Sequence, residues 1–202
     1  MQQKTYMVPA LERGLRILEL LAGHPEGLMM NEMNALGLPT ASLYRMLVTL
    51  SELGYSSMDE GSLVEKALGA MRELRDRTGE TVMLGVLYGM EGVVIESVKS
   101  TRAVCVSVRI GHHYPLHTAA PAKAMLAYLP DEEREKILKA IVYTKFTRST
   151  IPDASAFERE LRAVRKSGVA YDRGEELREL RCAGAPVLNA SGYPAAAVWI
   201  GG

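Results

Sequence analysis

Leucines recur at helical spacing near the start of the chain. They are three or four residues apart, which places them on one face of an α-helix: Leu11, Leu15, Leu18 and Leu21. The segment GHPEG, residues 23–27, contains the Gly and Pro that typically end a helix. The pattern therefore predicts a helix over residues 10–23 whose leucine face belongs to a hydrophobic core.

Two more helices are predicted close behind the first. A short helix fits residues 28–37, with Met29, Met33 and Leu36 on one side. A turn at Leu38-Pro39 leads into a third helix from Thr40 to about Leu53. Pro39 suits the first helical position, where its missing N–H costs no hydrogen bond. The inward residues of the third helix are Leu43, Leu47 and Leu50, and its polar residues on other faces are Ser42, Arg45 and Thr49.

The pattern changes after about residue 61. A helix over 62–80 is followed by three apolar runs, 81–89, 92–100 and 103–111, each bounded by glycine or charged residues. The third run alternates apolar and polar residues, which is typical of a strand. Helices then fit residues 119–129, 131–141 and 153–168. Asp153 is the expected N-cap of the last of these helices, and Gly168 ends it. Strands fit residues 169–172, 182–189 and 193–202. We expect a helical domain, 1–61, before an α+β domain, 62–202, built on an antiparallel sheet.

Composition excludes several classes of protein. The chain has 202 residues, 48% hydrophobic and 24% charged, which is ordinary for a globular protein. It contains no apolar run long enough to span a membrane, and its first residues lack the apolar stretch of a signal peptide. Two cysteines make a disulfide framework improbable and favour a cytoplasmic protein. Residues 1–60 hold four Lys/Arg against seven Asp/Glu, so non-specific DNA binding is disfavoured.

The order helix, short helix, tight turn, helix is that of a helix-turn-helix motif. In that motif the last helix enters the major groove of DNA with its N-terminal residues on the base edges. An arginine there can clamp a guanine or hold a phosphate, and small hydroxyl side chains suit either contact. The candidate DNA-binding residues are Pro39, Thr40, Ser42, Tyr44 and Arg45. On spacing alone, an ordinary helical hairpin in a small bundle fits as well.

Five blocks, in this order, resemble the IclR family of bacterial transcription regulators. They are VPALERGLRILELLA, GLPTASLYRMLVTLSELGY, RTGETVMLGVL, GHHYPLHTAAPAKAMLAYLP and ELRAVRKSGVAYDRGEE followed by RCAGAPV. The resemblance implies a winged helix-turn-helix, a linker helix for dimerisation and a GAF-like domain that binds a small metabolite. In the family, a wing hairpin and a linker helix follow the recognition helix, whereas here GYSSMDEG runs directly into SLVEK. The family also has a further helix after the strand that corresponds to the one ending at Gly202.

The resemblance also implies an effector pocket. Its walls would be formed by Val106, Tyr114, Thr118, Ala120, Asp172, Leu180, Cys182, Trp199 and Gly201. Relatives that bind small carboxylates hold the anion with backbone N–H groups of the HTAAP turn. Here Pro121 lacks one of those N–H groups, and Trp199 and Gly201 stand where such relatives carry hydroxyl side chains. We therefore expect an effector with more apolar or aromatic surface than glyoxylate or pyruvate, gripped by Asp172, Thr118 and the Ala120 N–H.

Other chemistry is less well supported by the sequence. His112, His113 and His117, with Cys182 far along the chain, lack the paired spacing of a zinc site, so we expect no metal and no cofactor. Cys182 has no recognisable base nearby in the sequence, so a buried apolar thiol is the better interpretation. Asp172 is as consistent with a ligand hydroxyl or a turn cap as with a general base.

The sequence therefore predicts a ligand-responsive transcription regulator and not an enzyme. Its partners would be double-stranded DNA with a palindromic operator, a small-molecule effector, and a second copy in a homodimer or dimer of dimers. The alternatives are an enzyme on a GAF-like domain that uses Cys182 or Cys105, and a metabolite sensor that pairs with another protein through its helical unit.

Overall fold

The structure is a computed structural model, and it describes residues 8–24, 28, 33, 37, 39–53 and 63–202, except the side chains of residues 40, 41 and 52. The chain forms two compact units, Met1–Ser62 and Leu63–Gly202. The predicted short helix over 28–37 and the position of a wing after residue 53 lie largely outside the described residues. Among those residues, no helix is long and apolar enough to cross a membrane.

The first unit contains two described helices, α1 (Pro9–Ala22) and α2 (Thr40–Glu52), as the sequence predicts. Its buried core is made by Ile17, Met33, Leu43 and Leu47. Pro39 lies at the N-cap of α2, one position before the predicted one. Its carbonyl oxygen accepts the Ser42 and Leu43 N–H groups at 2.8 and 2.9 Å, which starts the helix.

The predicted core face of α1 is wrong in its first half. Leu11 is 63% exposed and Leu15 is 52% exposed, whereas Ile17 is fully buried. Ile17, Leu20 and Leu21 form the face that packs in the core with α2. The helix carries apolar residues on two faces, so spacing alone does not decide which face is covered.

The second unit is built on one six-stranded sheet in which every described strand pair is antiparallel, and this confirms the predicted α+β class. The strands are β1 (Thr81–Tyr88), β2 (Glu91–Val98), β3 (His113–Tyr114), β4 (Ala170–Arg173), β5 (Arg181–Leu188) and β6 (Pro194–Gly201). Their order across the sheet is β3-β2-β1-β6-β5-β4. Antiparallel pairing brings the first and the last strands of the unit together at its centre, because β1 lies beside β6.

The alternating run over 103–111 does not form the strand that its pattern predicts. Its residues adopt no regular structure, and Val104 is 90% exposed. The free edge of β2 is used by the last residue of this run and by those that follow it. Val94 exchanges backbone hydrogen bonds with Gly111 and His112, and Val93 pairs with His113. An alternating pattern reports only which side chains are apolar, whereas a strand also needs a neighbouring strand with free backbone groups for hydrogen bonding.

Helices cover both faces of the sheet. Successive residues of β1 point to opposite faces: Val82 and Leu84 pack with Met71 of α3 (Leu63–Thr78), and Met83 belongs to the other, larger core. That larger core is completed by α4 (Ala120–Leu126), α5 (Asp131–Ala140) and α6 (Ala154–Ser167). The helix α4 is shorter than the predicted 119–129, and all seven of its residues are buried.

The ends of α6 confirm the predicted capping residues. The Asp153 side chain accepts the Ala156 N–H at 2.8 Å, and Gly168 takes the left-handed conformation with φ 78°. Both are local devices that satisfy backbone groups at the ends of a helix, so they can be read from the sequence.

Candidate functional site

The polar residues of α2 lie partly on the surface of the first unit. Arg45, the only basic residue of α2, is exposed, as is Thr49, whose hydroxyl donates to the Arg45 carbonyl oxygen at 2.8 Å. Ser42 is half-buried and Pro39 is exposed. The Tyr44 hydroxyl oxygen is shielded from solvent, which speaks against a DNA contact by this residue. The side chain of Thr40 lies outside the described residues.

An open groove runs between α1 and α2. Ser42, Arg45 and Thr49 line it together with apolar residues of both helices: Ala10, Leu11, Leu15, Leu18, Met46, Leu50 and Leu53. Apolar side chains offer nothing to a phosphate, so the groups on this side of α2 that suit DNA are the Arg45 guanidinium and the small hydroxyls.

In the second unit, sheet register brings most of the predicted effector residues together. Asp172 pairs with Cys182 across β4 and β5, and Cys182 pairs with Gly201 across β5 and β6. A side chain added at Gly201 would begin 3.3 Å from Cys182 Sγ and 3.9 Å from Leu180 Cδ1. The carbonyl oxygen of Val106 accepts the hydroxyl of Thr81, the residue that pairs with Gly201. Residues far apart in sequence thus meet at one end of the central strands.

Trp199 and Tyr114 form an aromatic pair at the same face. Their ring centroids are 5.5 Å apart at an interplanar angle of 70°, an edge-to-face contact. Glycines make room for the two rings: a Cβ at Gly85 would lie 2.7 Å from Tyr114 Oη, and one at Gly184 would lie 3.0 Å from Trp199 Cβ. Trp199 is 5% exposed, so the indole is packed into the larger core.

A buried ion pair lies beside Asp172. Lys123 of α4 is fully buried, and its Nζ is 2.6 Å from both carboxylate oxygens of Glu175 and 2.8 Å from the Tyr171 carbonyl oxygen. The Glu175 N–H donates to Asp172 Oδ1 at 2.8 Å. Burial raises the pKa of both carboxyls, and the Lys123 charge opposes that rise. The network ties α4 to the segment that follows β4.

The Tyr114 hydroxyl at the site is buried and has no hydrogen-bond partner in the described part of the chain. The Thr118 hydroxyl is also buried, but it interacts with the Glu176 carboxylate. Burial, followed by the charge of Asp172, raises the pKa of Glu176, and the Thr118 hydroxyl opposes that rise. Buried polar groups are usually paired, so an unpaired hydroxyl here is a feature that a ligand can complete.

The two cysteines are not arranged for nucleophilic chemistry. Burial, and then the charge of Asp172, raise the pKa of the Cys182 thiol to about 12, so it is a neutral thiol near pH 7. Cys105 is exposed. A nucleophilic cysteine needs a lowered pKa or an adjacent base, and the shift at Cys182 is in the opposite direction.

Two of the three histidines considered as metal ligands, His113 and His117, have other partners. His113 Nδ1 is 2.6 Å from Glu91 Oε2, and His117 Nε2 is 3.0 Å from the Thr144 carbonyl oxygen. Burial lowers the pKa of His117, with a further lowering from the Lys123 charge. Over the ranges that the structure describes, no group of three or more His, Cys, Asp or Glu side chains is placed to hold a metal.

Sequence reasoning missed Lys123 and Glu175. A signal was present, because Lys123 is a single charge inside the apolar run AAPAKAMLAYL. A lysine in a helix that is otherwise apolar on all sides needs a buried partner. That partner, 52 residues later in the chain, cannot be chosen from local pattern.

Family models match both units of the chain. The IclR helix-turn-helix domain matches residues 10–56, and the bacterial transcriptional regulator IclR C-terminal domain matches residues 55–202. The chain is 32% identical over 205 residues to the transcriptional regulator XynR of Escherichia coli, with 91% of this chain and 81% of XynR covered. It is 29% identical over 223 residues to the repressor IclR of the same organism, with 98% and 81% covered.

Solved structures agree with the sequence relatives. A putative transcriptional regulator from Rhodococcus superposes with TM-score 0.68 at 26% identity, covering 97% of this chain and 86% of that one. A double mutant of the inducer-binding domain of PobR from Acinetobacter, in complex with 3-hydroxybenzoic acid, gives TM-score 0.62 at 25% identity over 70% of this chain and 83% of its own. These relatives are regulators, and none supports the enzyme alternative. The chain belongs to the IclR family of bacterial transcriptional regulators, which bind DNA through a helix-turn-helix unit and respond through a C-terminal effector domain.

Proposed function

We propose that the chain binds a palindromic operator as a homodimer or dimer of dimers, with residues 1–61 on DNA and residues 62–202 holding the effector. The observation that supports the DNA contact is the exposed Arg45 near the start of α2. Because residues 1–60 are net acidic, one copy has little general attraction to DNA. Affinity must come from specific contacts and from linking two copies on one operator.

A gel-shift titration of the full chain with the DNA upstream of its own gene tests the DNA contact. Arg45→Ala should weaken binding by about 1–3 kcal/mol and relax the preference at one operator position, if Arg45 reaches a base edge. Arg159→Ala on α6 removes the same charge in the other unit and serves as the control. Equal weakening on all sequences would place Arg45 on a phosphate, and unchanged affinity would refute the contact.

Assembly is tested by sedimentation. We expect the full chain to sediment as a dimer or tetramer and a fragment of residues 1–60 to bind the operator poorly. Specific, tight binding by a monomeric full chain would contradict the proposed linkage of two copies.

For the effector, we propose the face built by Tyr114, Thr118, Ala120, Asp172 and Trp199, bordered by Val106, Leu180, Cys182 and Gly201. The observation that carries this proposal is the buried Tyr114 hydroxyl, which has no hydrogen-bond partner among the described residues and lies beside the aromatic Trp199. To act as a switch, the effector must bind one arrangement of the C-terminal units better than the other.

Trp199 makes effector binding measurable, since it is the single tryptophan of the chain. Thermal-shift screening of organic acids and aromatic compounds finds ligands that stabilise the native state. Calorimetry with the wild type and Trp199→Ser then tests the expected aromatic preference. Tight binding of a two- or three-carbon acid to the wild type, unchanged in Trp199→Ser, would contradict it.

A further inference from the structure

The second unit contains an open cavity that is separate from the proposed effector face. It lies between the end of α4, the start of α5, one side of α6 and the turn that precedes β6, and its volume is about 690 Å³. The residues proposed for the effector face do not line it. Small-molecule sites usually measure about 300–1,000 Å³, so this cavity is large enough for a metabolite.

Positive charge is in excess in the lining of this cavity. The lining contains three arginines, Arg134, Arg162 and Arg165, and two acids, Asp131 and Glu158. Both acids are already bonded. Asp131 Oδ1 is 2.6 Å from Arg134 Nη2, and Glu158 Oε1 is 3.1 Å from Arg162 Nη1. The two carboxylates therefore balance two of the guanidinium groups, and the charge of Arg165 is left over.

Arg165 is held by an aromatic ring. Its guanidinium carbon lies 4.2 Å from the centroid of the Tyr128 ring, which is a cation–π contact. Within the described part of the chain, no carboxylate pairs with Arg165. A guanidinium that contacts a ring through its face keeps the N–H donors along its edge for a planar acceptor. The Tyr128 ring thus positions a charge whose donors remain available to a ligand.

A second guanidinium lies beside the first. Arg162 precedes Arg165 by three residues, so the two side chains project from the same side of α6. Arg162 Nη1 donates to Glu158, but a guanidinium has five N–H donors, so others remain. A phosphate ester has three terminal oxygens that can accept from both groups, whereas a carboxylate has two oxygens. The pair of arginines therefore favours a phosphate.

The cavity also offers surface to the body of an organic ligand. Leu129 and Leu161, which are both buried, contribute to its lining, and so do the rings of Tyr128 and Tyr193. The Tyr193 hydroxyl donates to Glu133 Oε2 at 3.0 Å, which fixes the position of that ring. An organic phosphate can place its apolar part against these side chains while its phosphate contacts the arginines.

From these observations we infer that the cavity is a second ligand site, which takes the phosphate ester of a small organic molecule. Arg165 and Arg162 donate to the phosphoryl oxygens, and Tyr128 holds Arg165 in place for that contact. The site is distinct from the proposed effector face, so it does not depend on the identity of the effector.

Phenyl phosphate is a suitable probe, because it joins a phosphate ester to an aromatic ring. Its binding to the full chain is measured by calorimetry at pH 8, where a phosphate ester with a second pKa of about 6 is a dianion. Inorganic phosphate and phenol are measured beside it. We expect phenyl phosphate to bind at least about tenfold more tightly than either, because each of them lacks one half of the recognised structure. Inorganic phosphate that binds equally well would contradict an organic ligand, and phenol that binds equally well would contradict phosphate recognition.

The variant Arg165→Gln tests whether the probe binds in this cavity. It should weaken phenyl phosphate binding by about tenfold or more, because a charge-assisted hydrogen bond is lost. Arg159→Gln is the matched control. It removes the same charge from the same helix outside the cavity, where Arg159 Nη1 donates to Ser155 Oγ, and should leave binding unchanged. Both arginines are exposed, so both variants should fold, which circular dichroism checks. Undetectable binding to the wild type, or equal affinities of the two variants, would overturn the inference.

Discussion

Removing the charge of Lys123 tests the buried network of the effector domain most directly. Lys123→Met keeps an unbranched apolar side chain of similar length in a position that is fully buried. It takes away the Nζ that lies 2.6 Å from both Glu175 carboxylate oxygens. Glu175, which is 3% exposed, then holds a buried carboxylate without a cation, and the Tyr171 carbonyl oxygen loses its side-chain donor.

The expected cost follows from the burial of both partners. Breaking a buried ion pair by removing one member destabilises proteins by about 3–5 kcal/mol. For a domain the size of the second unit, each kcal/mol lowers Tm by roughly 2–4 °C, so we expect Tm to fall by about 10 °C.

The loss should depend on pH. Without Lys123, the pKa of Glu175 in the folded state rises further above its unfolded value, since burial is no longer opposed by the lysine charge. A carboxyl whose pKa is higher in the folded state than in the unfolded state lowers the free energy of unfolding at high pH. This loss of stability disappears as the pH falls through the folded-state pKa to the unfolded-state pKa. The destabilisation should therefore be larger at pH 8 than at pH 5.

Urea denaturation of the full chain followed by circular dichroism measures this difference, with Lys139→Met as the control. Lys139 pairs with Glu135 at 3.3 Å, but their side chains are 77% and 64% exposed, so the control should lose less than about 1 kcal/mol. Adding Glu175→Met to Lys123→Met should restore most of the stability, because no uncompensated charge remains. A Lys123→Met loss no larger than that of the control, or no recovery in the double variant, would refute the reasoning.

Two further predictions concern glycines and thiols. Gly92→Ala should destabilise the chain by about 1–3 kcal/mol, because the new Cβ would overlap the Tyr114 ring. In helix α3, nothing lies within 4 Å of a Cβ added at Gly69, so Gly69→Ala should stabilise the chain by up to about 1 kcal/mol. Melting temperatures that shift equally and in the same direction in both variants would contradict this. In a thiol assay with Ellman's reagent at pH 8, Cys105 should react rapidly because it is exposed. Cys182 should react only on unfolding, because burial raises its pKa to about 12. Two fast-reacting thiols in the folded chain would show that Cys182 is accessible.

The features that the sequence predicted well depend on neighbours along the chain. The two helices that frame the helix-turn-helix, the caps of α6 at Asp153 and Gly168, and the strands β4 to β6 appear as expected, and β1 and β2 lie where the first two apolar runs were found. Helix ends and side-chain alternation are set by a few adjacent residues, so a local pattern contains the necessary information.

Other features depended on contacts that only the tertiary structure supplies. The run over 103–111 alternates like a strand but has no ladder in the described structure, and Leu11 is exposed although its spacing matched a core face. The Lys123–Glu175 pair joins residues 52 positions apart. The sequence by itself determined most of the helices and strands, and it determined which residue types were available for DNA and a ligand. Only packing decided which apolar face is covered and which charge is neutralised, because both depend on residues that are distant in sequence and adjacent in the fold.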